Sequence, residues 1–123
     1  MVCYDKHMKF VQKSSAVHFS NGPTCDGIEY PFSDKAMNLA VVTVTGRYPE
    51  TDYAMNEVCK EAAYVLSGTG VVGKAGEQSQ KVSVGDAVLI EPGEKYYWEG
   101  ERLELLMPCS PAFYPEQHKK VAS

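Results

Sequence analysis

The three histidines, His7, His18 and His118, and the four cysteines, Cys3, Cys25, Cys59 and Cys109, are the side chains of this sequence best suited to bind a transition metal or to act as soft nucleophiles. The cysteines are far apart and no two share a two-residue spacing, which argues against a zinc knuckle or a dithiol redox motif. Residues 1–13 mix Tyr4, Asp5, Lys6, His7 and Lys9 with single apolar residues and carry no stretch of signal-peptide length. A cytoplasmic protein is therefore expected, its thiols reduced and packed as small hydrophobes. Carboxylates and phenols are the other candidates for chemistry, and their acid–base strength changes where a fold withdraws them from water.

The chain has 123 residues, 44% hydrophobic and 23% charged, which suits one globular domain over 1–123 and excludes a coiled coil or a disordered chain. Sixteen acidic against twelve basic residues leave a net charge of −4, so there is no basic field to attract a phosphate backbone, and nucleic acid is excluded as an expected partner. No window approaches the roughly 18 apolar residues of a membrane helix, so no membrane partner is expected either.

Turn-forming residues recur at Asn21-Gly22-Pro23, Asp26-Gly27, Tyr48-Pro49, Ser67-Gly68, Gly76, Gly85-Asp86, Pro92-Gly93 and Glu99-Gly100-Glu101. The segments between them have strand length, the rhythm of an all-β sandwich or barrel. The run from 38 to 48 is rich in Val and Thr and reads as a strand. Further strands are predicted over 61–67, 70–75, 80–84, 87–91, 95–99 and 103–107. Residues 57–66 have helical propensity, but Tyr64-Val65-Leu66 runs into Ser67-Gly68-Thr69-Gly70 and then Val71-Val72, the layout of two strands around a glycine turn. The one predicted helix is a short C-terminal one over 115–121, with Pro115 in its first turn and Lys119 and Lys120 in its last.

The stretch Gly85-Asp86 through Glu91-Pro92-Gly93 to Tyr96, preceded by Tyr64-Val65-Leu66-Ser67-Gly68-Thr69-Gly70, closely resembles the two motifs of the cupin superfamily, in order and in approximate spacing. The resemblance covers about 38–109. It implies a jelly-roll β-barrel (a double-stranded β-helix) with an open mouth, and a homodimer in which residues 16–32 pair across a two-fold axis to cover an edge strand. Most cupins hold a metal in that mouth on three histidines and a glutamate. Here Glu61 stands at the glutamate position, whereas the histidine positions fall on Ala54, Asn56 and Tyr96. No metal and no other cofactor is expected, the alternative being an atypical site joining Glu61 to Cys59, His18 or His118.

With Glu61 and Tyr96 inward, as the resemblance implies, strand alternation sends Ala63 and Val65 inward with the first and Trp98 with the second. The pocket so formed would take a small molecule. Glu61, desolvated, is the candidate general base, and Tyr96 the candidate acid or oxyanion donor. Asn56, Trp98, Tyr64 and Tyr48 are candidate substrate-binding residues. An ion pair of Glu61 with Arg47 or Arg102 is the structural alternative. The proline-rich tail from Met107 to His118 is expected to cross the barrel and bring Phe113, Tyr114 and His118 to one region. Three functions follow from this pocket: a metal-independent isomerase, epimerase or lyase; a binding or sensor module without chemistry; and a metalloenzyme such as a dioxygenase with replaced ligands. The sequence does not name a substrate.

Overall fold

The computed structural model describes residues 8–123, so the expectations for Cys3 and His7 lie outside the described residues. Among the described residues ten strands follow one another: β1 (Val17–Ser20), β2 (Cys25–Tyr30), β3 (Asn38–Tyr48), β4 (Tyr53–Asn56), β5 (Lys60–Ser67), β6 (Gly70–Lys74), β7 (Gln80–Val82), β8 (Ala87–Ile90), β9 (Tyr96–Ser110) and β10 (His118–Val121). Every pairing is antiparallel.

The organising element is β9. It pairs with β3 along its length, with β6 through its first half, with β5 through its second half, and with β4 at Tyr96. A strand so shared forces the sheet to curl, and register shifts between Val44 and Gly46 and between Val65 and Ser67 supply the bends. Gly46 holds φ +104 at the first of these, a conformation that L side chains rarely adopt.

The alternation predicted for β3, β5 and β9 sets what faces inward. Val42, Val44, Ala63, Val65, Trp98, Leu103, Leu105 and Met107 form one buried cluster with Tyr96. Leu103 and Leu105 are fully enclosed, which stabilises the fold by about 1.5–3 kcal/mol each. On the outer face, Ile28, Val41, Leu106 and Tyr64 stand side by side across β2, β3, β9 and β5, and Leu89 on β8 lies beside Ala62.

Three expectations are corrected. Glu99-Gly100-Glu101 is not a turn between two strands: β9 runs through it, and the bend falls at Arg102, whose φ is +58. The C-terminal helix is a single 3-10 turn, Pro115–Gln117, after which β10 lies beside β4. The chain from 16 to 32 forms the β1–β2 hairpin, in which β2 pairs with β3 and β1 lies at the edge of the sheet. Asp26-Gly27 lies inside β2, where Gly27 leaves room for the Phe19 ring.

Candidate functional site

The curled sheet encloses a cavity of about 500 Å³. Val42 and Val44 of β3 and Leu105 and Met107 of β9 make its apolar walls, and Phe19, Trp98 and Phe113 add aromatic surface. Among the polar groups that reach it are Glu29, Tyr48, Glu61, Tyr96 and His118. No Lys or Arg lines it among the described residues. The cavity thus carries two carboxyl groups and no permanent cation.

Glu61 sits on β5, buried, with Ala63 and Val65 on the same face. Its Oε1 accepts a hydrogen bond from Asn56 Nδ2 at 2.7 Å. Burial pushes its carboxyl above the ordinary range and the Asn56 bond offsets part of that rise. Neither Arg47 nor Arg102 pairs with it. The Arg47 guanidinium lies over the Tyr97 ring, 4.2 Å from its centroid, on the outside of the sheet.

Asn56 belongs to a larger array. Gln117 Oε1 accepts the backbone N–H groups of Val58 and Cys59, at 3.2 and 3.0 Å. Gln117 Nε2 therefore donates, and does so to Asn56 Oδ1 at 3.0 Å. That oxygen also meets His118 Nδ1 at 2.8 Å, and His118 Nε2 meets the Tyr48 hydroxyl at 2.7 Å. The Tyr48 and His118 rings lie nearly parallel, 9° apart. Burial holds the His118 imidazole below its usual basicity and pushes the Tyr48 and Tyr96 phenols up.

Of the residues singled out in the sequence, Glu61, Tyr96, Trp98 and Tyr48 all reach the cavity. Asn56 does not line it. It is fully buried behind Glu61 and holds that carboxyl rather than facing a ligand. Tyr64 is on the opposite face of β5, 45% exposed, and cannot contact a ligand in the cavity. The Trp98 indole N–H is buried without a hydrogen-bond partner. The tail brings Phe113 and His118 to the cavity and leaves Tyr114 exposed at its rim. The expected crossing of the tail thus brings His118 to the cavity, whereas Gln117 is not singled out by the sequence. The signal for it is the proline spacing, which ends the crossing segment at residue 115; the 3-10 turn that follows leaves Glu116 exposed and carries Gln117 and His118 inward.

The residues at the cupin ligand positions do not fit a metal. Ala54 offers no donor, and both lone pairs of the Asn56 carbonyl are taken by Gln117 and His118. Among the described residues no group of three His, Cys, Asp or Glu side chains is placed to hold an ion. His18 is at the surface beside Asp26, and Cys59 meets the Pro111 carbonyl.

The sequence matches no family model and no curated protein. Solved structures do resemble the fold. Pac13, described as a nucleoside dehydratase, is 19% identical over 94% of this chain and 92% of its own, with a TM-score of 0.80. Variants of the Streptomyces protein have been solved with uridine. Ectoine synthase from P. lautus is 13% identical over 84% of this chain and 80% of its own, with a TM-score of 0.66. KdgF from Halomonas sp. is 17% identical over 84% and 94%, with a TM-score of 0.65. The fold of this chain is the cupin-type β-barrel.

Proposed function

We propose that this protein is a metal-independent enzyme of the isomerase, epimerase or lyase kind that moves a proton on a small, neutral, hydroxylated molecule, with Glu61 as general base and Tyr96 as acid or oxyanion donor. One observation carries the reading. A buried carboxyl, held at one oxygen by Asn56, stands in an apolar cavity that has no cation to neutralise it. Such a carboxylate is more basic than one in water, and the Asn56 bond orients it without removing the charge. The same absence of Lys and Arg disfavours phosphorylated or carboxylated ligands, which would bring a second negative charge beside Glu61 and Glu29. A nucleoside or free sugar fits a volume of about 500 Å³. The uridine-bound Pac13 variants make uridine the first compound to try.

The test is exchange of a carbon-bound proton with deuterium from solvent, followed by NMR across neutral nucleosides and sugars. The wild type is expected to exchange at one position of one compound, and Glu61→Gln to slow this by about 10²–10⁴-fold. A wild type that binds without any exchange would favour the binding-module reading instead. The phosphorylated counterpart, uridine 5′-monophosphate beside uridine, is expected to bind more weakly; tighter binding would overturn the charge argument.

We also propose a homodimer working in the cytoplasm. The free cysteines Cys25, Cys59 and Cys109 suit a reducing compartment. The outer row of Ile28, Val41, Leu106 and Tyr64, with exposed Leu66 and Leu89 nearby, is the apolar face that a second copy would cover. Light scattering on a sizing column should give twice the chain mass, and Leu89→Ser should lower it; a monomer at micromolar concentration would remove the claim.

A further inference from the structure

The orientation of the whole buried array follows from two backbone amides. The N–H groups of Val58 and Cys59 can only donate, so the Gln117 atom that meets them is its oxygen. Its nitrogen then donates to Asn56, which fixes the Asn56 atom there as Oδ1 and sends Nδ2 to Glu61. Because His118 Nδ1 meets the same Oδ1, it must carry the proton of the neutral ring. His118 Nε2 is left with its lone pair, and the contact at 2.7 Å is the Tyr48 hydroxyl donating into it. Tyr48 therefore has no proton to offer the cavity that it lines, and presents only its oxygen lone pairs.

We propose that Tyr48 and His118 are a second proton-transfer pair of this site: Tyr48 accepts a hydrogen bond from a ligand hydroxyl, and His118 is the outlet for the proton. The inference rests on the reading of the cavity as a site for a hydroxylated ligand. In the step itself the ligand O–H bond breaks and its electron pair stays on the ligand oxygen. The proton joins the Tyr48 oxygen as the Tyr48 proton passes to His118 Nε2. The ring becomes an imidazolium whose Nδ1–H still points at Asn56 Oδ1, and net charge is conserved. This is the logic of a nucleophile, a base and an orienting group, with a ligand hydroxyl in the first role. Asn56 is a positioning residue for both halves of the site, since one amide holds Glu61 through its nitrogen and selects the His118 tautomer through its oxygen. Glu61 and Tyr48, which both line the cavity, would then divide the carbon-bound and oxygen-bound protons of one substrate between them.

Long-range nitrogen–proton NMR on labelled protein near neutral pH reads the tautomer without any ligand. The expected result is a neutral His118 protonated at Nδ1 in the wild type and in Tyr48→Phe alike, since Asn56 Oδ1 holds that proton; protonation at Nε2 in the wild type would overturn the proposal. Affinity for uridine, or for another neutral nucleoside or sugar that binds, is then compared with that for its singly deoxygenated analogues. One missing hydroxyl should weaken binding about tenfold in the wild type and should cost nothing further in Tyr48→Phe. An equal penalty in both proteins would overturn the role of Tyr48. His118→Gln separates the two functions of the ring, because a Gln carbonyl can accept from Tyr48 but cannot take its proton. It should keep the affinity within about twofold and slow conversion of the bound compound to product about a hundredfold; unchanged conversion would overturn the relay. Failure of every neutral nucleoside and sugar to bind the wild type would instead bring down the underlying reading of the cavity, and with it the ligand role of Tyr48.

Discussion

Glu61 and His118 are shifted in opposite senses, and each shift makes stability depend on pH. The folded-state pKa of Glu61 lies above its ordinary value of 4.5, so over a window upward from that value the folded protein keeps a proton that the unfolded chain has lost. Its contribution to stability is complete below the ordinary value and is lost as pH rises through the raised one. His118 runs the other way. Its folded-state pKa is below 6.5, so its contribution is complete above that value and is lost as pH falls through the lowered one. Urea unfolding across pH should show Glu61→Gln losing less stability than the wild type on going from acid to neutral pH. Identical slopes would mean that Glu61 is not desolvated. In the same series His118→Gln should lose less stability than the wild type on acidification below neutral, and parallel curves would place His118 in water.

At the scale of elements, β9 is both the widest-contacting strand and the main source of enclosed side chains. Leu103→Ala removes a fully buried side chain from it and should cost about 2–5 kcal/mol, read by chemical denaturation. A loss below 1 kcal/mol would mean that the barrel collapses onto the gap. The long strands and the inward residues on them were legible because their alternation and their glycine turns agree: β3 as predicted, β5 from one residue earlier, and Glu61, Tyr96 and Trp98 on the expected side. The short strands β6, β7 and β8 were legible too, whereas β1, β2, β4 and β10 were not. Asp26-Gly27 reads as a turn by residue type, yet pairing on both sides keeps β2 extended, and the glycine leaves room for the Val41 carbonyl and the Phe19 ring. Lys119 and Lys120 suit a helix end, but the edge of β4 offers hydrogen bonds that a four-residue helix could not match. The site was half legible for the same reason. Glu61 stands out by its place in the motif, while Gln117 and His118, which hold the Asn56 amide that orients it, come from a segment whose course is decided by tertiary pairing.

For the whole molecule, the last strand closes the site without being part of the main core. A chain ending after Tyr114 should keep the core and lose the array, since β10 pairs only with β4. Hydrogen exchange should then quicken in β4 and in residues 57–59, with β3, β5 and β9 still protected; loss of protection throughout would make β10 integral to folding. The central place of β9 also has a consequence for how the protein is made. As the chain leaves the ribosome, β3, β5 and β6 are all synthesised before the strand that joins them, so none can settle into its final place until residues 96–110 emerge. Assembly must wait for that strand and then close long stretches of chain at once, a route expected to take milliseconds to seconds and to leave half-built sheets exposed to aggregation in the interval.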